Sequence, residues 1–192
     1  MLLQGSRLND VPVMGLQTGT ELARTTRPII NPATLEVPAY EVSGPLLDVH
    51  PSLLRVIDVR EFSDIGLIVD SSDEFIATDD VIALEKIYEL HFLLVGMTVI
   101  DERKHKLGKV TDFTLESSSF IIEQLNVKRP LFKSLGDTEL LIHRTQIIEI
   151  TNENIIVKAG TKTPEPIMNA VRTTYVNPFR STTPTAEHMK KH

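Results

Sequence analysis

Phe120-Ile121-Ile122-Glu123-Gln124-Leu125-Asn126-Val127 reads as a β-strand. It restates a stretch met 85 positions earlier, Leu35-Glu36-Val37-Pro38-Ala39-Tyr40-Glu41-Val42. Leu35 lands on Phe120, Val37 on Ile122 and Val42 on Val127. The later stretch is richer in β-branched residues and reads as the better protected strand. Pro38 argues that the earlier one lies at an edge or a bulge. Working outward with the same shift across residues 11–44, Met14 lands on Val99, Leu22 on Leu107, Arg24 on Lys109 and Ile30 on Leu115, with no gap needed. A shift of 88 aligns residues 58–69, where Glu61 meets Glu149, Phe62 meets Ile150, and Ile68-Val69 meet Ile156-Val157. The extra positions fall in Lys128-Arg129-Pro130-Leu131-Phe132-Lys133-Ser134-Leu135-Gly136. A repeat unit of this length is a small domain, not a solenoid module. The chain is a tandem of two similar β-rich units.

Asn31-Pro32-Ala33-Thr34 and Glu116-Ser117-Ser118-Ser119 are matching turns, so each copy contains a hairpin. Short strands follow at Leu67-Ile68-Val69 and at Asn154-Ile155-Ile156-Val157-Lys158. Several short strands with tight turns and no helix between them suggest a small barrel, whose closure removes exposed edges. One helix is expected between the copies, over 78–92. Thr78 would cap it, and Asp79 and Asp80 would lie in the first turn, where the helix dipole favours negative charge. Val81, Leu84, Tyr88 and His91, or alternatively Ile82, Ile87 and Leu90, recur there at helical spacing, so the segment has an apolar stripe with which to pack on one or both units. The expected organisation is a first unit over 1–77, the helix over 78–92 and a second unit over 93–160. A linker and a largely disordered tail rich in Ser, Thr, Pro and Lys are expected over 161–192, with a short amphipathic piece around Ile167–Val171.

The chain has 192 residues, 41% of them hydrophobic, enough for two domains near the lower size limit for a self-sufficient core. No apolar run approaches the roughly 18–20 residues of a membrane span. No secretory signal is visible at Met1-Leu2-Leu3-Gln4-Gly5-Ser6-Arg7. The absence of cysteine removes disulfides, thiolate metal sites and a Cys nucleophile, and it fits a reducing compartment. A cytoplasmic protein is the expectation. Charge is uneven: residues 41–90 hold twelve acids against three bases, whereas 101–150 balance at eight each. With a net charge of −6, broad binding to phosphate backbones, and direct DNA binding with it, is not expected.

No sequence feature points to catalysis. None of the six histidines sits in a His-Glu-x-x-His pattern, and there is no phosphate loop, Gly-x-Gly-x-x-Gly or Gly-x-Ser-x-Gly. His143 lies in a strand and reads as a satisfied structural histidine. Asp101-Glu102-Arg103-Lys104-His105-Lys106 reads as a solvated hairpin tip. No enzyme, cofactor or metal is expected. The candidate partner-binding residues are Lys128, Arg129, Leu131, Phe132 and Lys133, in the loop that is longer in the second copy. There, cations surround two apolar side chains, a mix that suits an anchor-and-rim contact with a protein, or stacking on RNA. The other reading is that Leu131, Phe132 and Leu135 fold back as a lid.

Gly96-Met97-Thr98-Val99-Ile100-Asp101, Lys106-Leu107-Gly108-Lys109-Val110-Thr111-Asp112 and the strand ending at Val127 together resemble the PRC-barrel domain. So does Leu141-Ile142-His143-Arg144-Thr145-Gln146-Ile147-Ile148-Glu149-Ile150 running into Ile155-Ile156-Val157-Lys158. The resemblance covers residues 96–160, and through the repeat it extends to 8–70. Where the family usually has Leu-Gly-x-Val, the first copy has Leu22-Ala23-Arg24-Thr25, alanine being the smallest substitute for a glycine. The resemblance implies two small PRC-type β-barrels in tandem, a mainly β protein with one short helix and a flexible C-terminal tail. It implies a docking module without catalysis of its own, of the kind found in the photosynthetic reaction centre H subunit and the ribosome maturation factor. The expected function is therefore that of a non-enzymatic adaptor with a protein partner. The alternatives are a factor associated with the ribosomal particle or RNA processing, and a membrane-peripheral scaffold acting through a membrane protein.

Overall fold

The computed structural model describes residues 1–45, 47–129 and 139–160. The protein is mainly β, with two seven-stranded sheets and one α-helix among the described residues. The first repeat supplies β2 (Pro12–Gly15), β3 (Thr20–Asn31), β4 (Glu36–Ser43), β5 (Ser52–Arg55), β6 (Glu61–Ser63), β7 (Gly66–Val69) and β8 (Phe75–Ala77). The second supplies β9 (Thr98–Asp101), β10 (Lys106–Glu116), β11 (Ile122–Lys128), β12 (Glu139–His143), β13 (Ile147–Ile150) and β14 (Asn154–Val157). The sheets run β6-β7-β2-β3-β4-β5-β8 and β13-β14-β9-β10-β11-β12, so six strands follow the same order in both. Each series pairs its first strand in parallel with its last long-range partner, β2 with β7 and β9 with β14.

The repeat extends to the irregularities. β3 and β10 each carry a bulge at Thr26 and Thr111, and each threonine hydroxyl donates to the facing carbonyl, Glu41 at 3.1 Å and Asn126 at 3.2 Å. In this way the bulge satisfies a carbonyl that a regular ladder would have paired. Pro38 lies in β4 beside a register irregularity, not on an edge strand as β4 sits between β3 and β5. One detail of the repeat differs from the ungapped alignment. Val13 pairs with Ala23 and Leu67, as Val99 pairs with Gly108 and Ile155, so Val13 rather than Met14 is the counterpart of Val99. Val13 and Ala23 are ten positions apart and Val99 and Gly108 nine, so the first hairpin holds one more residue between its paired positions, where both ladders carry a register shift.

The expected closure into barrels is absent from the pairing: among the described residues neither sheet joins its two end strands by hydrogen bonds. Three of those end strands are short and partly exposed, three residues in β6 and β8 and four in β13, which limits edge pairing without closure, and the fourth, β12, has five. The N-terminal strand β1 (Leu2–Gln4) pairs antiparallel with Thr114–Glu116 of β10 and so joins the second repeat's sheet. Gly5 lets the following turn lie against Phe113, since a Cβ there would clash with the ring.

The helix is shorter than the expected 78–92. It spans α1 (Ile82–Tyr88), with Val81 as its N-cap residue and no side-chain cap. Thr78 does not cap it, because Asp80 turns back to accept the Ala77 N–H at 2.7 Å and so closes a turn ahead of the helix. Of the two units, α1 packs on the first. Leu84 packs with Ile29, Ala39 and Leu53 on the outer face of the first sheet, and Arg27 lies over the Tyr88 ring, 5.1 Å from its centre. In the second repeat the residues matching Ile29 and Ala39 are Thr114 and Gln124, a face that offers an apolar helix little to bury.

The largest core belongs to both repeats. Val99, Leu115, Ile122, Leu125, Ile142 and Ile155 of the second form one cluster with Ile30, Leu35, Val37 and Tyr40 of the first, and with Leu3 and Leu8 from the N-terminus. A smaller cluster around Val13, Leu54, Leu67 and Val69 belongs to the first repeat alone.

Candidate functional site

The two repeats meet through their hairpin tips, and the meeting is reciprocal. Val37 N–H donates to the Phe120 carbonyl at 2.9 Å, and Ile122 N–H donates to the Leu35 carbonyl at 2.8 Å. Glu36 bridges Ile121 between them. Each of these residues is the repeat counterpart of the other's partner, so the junction has the form of a twofold interface within one chain. Both tips need a left-handed residue to turn back: Leu35 has φ 60° and Phe120 φ 51°. Their N–H groups close matching turns onto Asn31 and Glu116 at 2.8 Å, and both side chains are buried in the shared core. That burial offsets a backbone conformation that costs an L-residue about 1–2 kcal/mol.

Twofold logic creates two grooves, one beside each tip. The first is about 660 Å³ and lies between Ser117–Phe120, the segment Arg55–Phe62 and α1. The second is about 370 Å³ and lies between Pro32–Leu35 and the segment 144–150, the counterparts of the first groove's walls. Their chemistry differs. In the second, Arg144 donates to the Thr34 carbonyl at 3.2 Å and lies 3.5 Å from Glu123, tying one wall to the other. In the first, the residues at those positions are Val56 and Pro38, which tie nothing across, and Leu84 and Ile87 add an apolar wall. Ile57, 83% exposed, stands at the rim where the second repeat has Thr145.

Charges around the first groove are unequally satisfied. Arg55 is held by both carboxylate oxygens of Asp58, at 2.6 and 2.9 Å. Arg60 is held by Asp70, whose carboxyl that hydrogen bond keeps below its usual range. Glu36 and Glu61 enter no ion pair among the described residues. With the arginines neutralised by their own partners, the groove presents an apolar floor with two free carboxylates beside it.

Of the residues singled out in the sequence, Lys128 ends β11, exposed, opposite Lys109 and Glu139, and Arg129 follows it half-exposed. Leu131, Phe132 and Lys133 lie outside the described residues. His143 has a structural role: its ring accepts the Thr145 N–H at 3.3 Å while Gln146 accepts the His143 N–H at 2.8 Å, a reciprocal cap on the turn that follows β12. Asp101–Lys106 is a hairpin tip in which Asp101 accepts the N–H groups of Arg103 and His105. Partial desolvation opposes the ionisation of Asp101, but those bonds and the His105 ring hold its carboxyl below the usual range. Among the described residues no group of three or more His, Asp or Glu could hold a metal ion. No helix among them is long and apolar enough to cross a membrane.

No protein-family model matches the chain, and no curated protein matches it at a significant level. The groove at the junction escaped the sequence reading because its walls come from four separated segments. The one local sign was Ile57, an apolar residue among Arg55, Asp58 and Arg60 that belongs to neither strand pattern.

Proposed function

We propose that the chain is a non-enzymatic adaptor built from two PRC-type units, and that it engages its partner through the first groove. The observation that carries this reading is the difference between the two grooves: one is tied across by Arg144, and the other is open, apolar-floored and bordered by Glu36 and Glu61, which enter no ion pair among the described residues. The volume is that of a cleft for one or two large side chains. The partner that fits is a protein segment presenting an apolar side chain flanked by a lysine or arginine, whose cation meets those carboxylates. An RNA partner is disfavoured by the same carboxylates and by the chain's net charge of −6.

The test compares Ile57→Glu with Leu16→Glu, two exposed positions of which only the first borders the groove. Tagged wild type and both variants are used to capture partners from native extract, with and without nuclease. A protein identified by mass spectrometry is then purified and its affinity measured. A nuclease-resistant partner with a basic-apolar segment, bound by wild type and Leu16→Glu but lost with Ile57→Glu, supports the reading. A partner that binds Ile57→Glu as well as wild type rules out the groove, and partners that vanish with nuclease replace the adaptor reading with the RNA-linked one.

A further inference from the structure

The two repeats finish their sheets differently. In the first, the outer edge of β5 is covered by β8, with Ser52 opposite Ala77, Leu53 opposite Ile76 and Leu54 opposite Phe75. The counterpart edge in the second belongs to β12, and among the described residues no strand pairs with its outer side. The shift of 88 sets Thr163-Pro164-Glu165 against Phe75-Ile76-Ala77, and none of the apolar side chains that seat β8 recurs there. β12 thus presents a row of backbone donors and acceptors in a position the first repeat shows to be strand-accepting.

We propose that this edge is a self-association surface, taken by β12 of a second copy of the chain in an antiparallel, twofold pair centred on Leu141. The strand is self-complementary in that register. Leu140 faces Ile142 of the other copy, both being core-side residues that are fully buried within their own unit. Glu139 faces His143 at each end, a carboxylate against an imidazole, and Leu141 faces itself on the half-exposed side. A shift of one residue would set buried positions opposite exposed ones. A shift of two loses both Glu–His pairs and leaves three of the five residues paired. The association joins two sheets into one and is independent of the first groove.

The chain has no cysteine, so Leu141→Cys places a single thiol on the proposed twofold axis. Directly opposed residues in an antiparallel pair lie about 4.5–5.5 Å apart at Cα, within disulfide range. The expected result on the full chain is concentration-dependent dimerisation of wild type by sedimentation velocity, and rapid oxidation of Leu141→Cys to a covalent dimer. Leu141→Lys, which sets two ammonium groups against each other, should weaken the dimer about tenfold or more. If Leu141→Lys lost its fold by circular dichroism, Glu139→Lys, at the exposed end of the strand, would take its place. Monomeric wild type across the dilution series overturns the proposal; the edge then serves another partner's strand or is covered by the chain's own segments. A dimer that resists both substitutions and leaves Leu141→Cys unlinked overturns it equally, since another surface would then hold the copies together.

Discussion

The first repeat is closed where the second is open, and open where the second is closed. Its outer face carries α1 and its edge carries β8, while the counterpart face of the second is polar, at Thr114 and Gln124, and no strand among the described residues covers the counterpart edge. At the junction the relation reverses: Arg144 ties the second repeat's groove to Thr34, while Val56 leaves the first repeat's groove unbridged. The backbone scheme is held in common, since bulges, tip turns and strand order coincide. What diverges is the side-chain set that decides which surfaces are satisfied within the chain and which are left for something else. Duplication supplies two copies of each surface, and a handful of substitutions is enough to tie one across and leave the other untied.

The sharpest way to break this relation is at the tips. Phe120→Ala empties the shared core at its centre and should cost about 3–5 kcal/mol, measured by denaturant unfolding. The left-handed backbone adds a second expectation. Phe120→Gly removes the same ring but relieves the positive φ, so it should be no less stable than Phe120→Ala, the reverse of the usual order. An alanine variant clearly more stable than the glycine variant would show that the tip relaxes out of the left-handed region once the ring is gone. Loss of a single cooperative transition in either variant would show that the repeats fold together only because the tips hold them.

A smaller effect concerns where each repeat keeps its glycine. A Cβ at Gly108 would meet Val127 Cγ1 at 2.8 Å and press on the Lys128 carbonyl. The first repeat has Ala23 at that place, and its glycine has moved to the facing strand's end, where a Cβ on Gly44 would meet the Leu22 carbonyl at 2.7 Å. The departure from Leu-Gly-x-Val in the first copy is thus compensated across the strand pair. Gly108→Ala alone should destabilise by about 1–3 kcal/mol through overpacking. Adding Arg129→Gly, the counterpart of Gly44, should recover part of that loss. Additive costs in the double variant would mean that the two glycines serve unrelated ends.

These particulars show what sequence could and could not reveal. The alternation in β4 and β11, the shared shifts of 85 and 88, and the hairpin turns at 31–34 and 116–119 were legible because they are local patterns written twice. The apolar stripe of α1 was legible too, but not its start, because Asp80 serves the turn before the helix. Strands β1, β5 and β8 are three or four residues long and owe their state to distant partners, so no local periodicity announces them. The groove was illegible for a related reason. Its walls are brought together by backbone hydrogen bonds between the tips, and backbone groups leave no mark on residue identity.

A smaller effect still is expected at Tyr40. Its hydroxyl is buried in the shared core without a hydrogen-bond partner among the described residues, and burial pushes the phenol well above its usual range. The second repeat places Leu125 at the counterpart position and so carries no such cost. Tyr40→Phe keeps the edge-on contact with Phe120 and removes the orphaned hydroxyl. It should leave stability unchanged or raise it by up to about 1 kcal/mol. A marked loss would reveal a hydrogen bond made by a bound water, and with it a small polar pocket inside the junction.

The gentlest probe is acid, and it should act on one repeat's β-ribbon and spare the other's. Asp70 is held below the usual carboxylate range by its hydrogen bonds to Arg60, which tie the residue before β6 to the residue after β7. A carboxyl depressed in the folded state contributes stability that is fully present above its unfolded pKa and is lost as pH falls through the folded one. The window therefore opens below about pH 4. In the second repeat the counterparts of Arg60 and Asp70 are Ile148 and Lys158, so the same pair is not formed there. Amide exchange measured as pH is lowered, corrected for intrinsic rates, should show β6 and β7 losing protection before β13 and β14. Asp70→Asn should bring that loss to neutral pH while leaving the second repeat unchanged. Equal loss in both ribbons would place the acid sensitivity elsewhere, in the junction that the two repeats share.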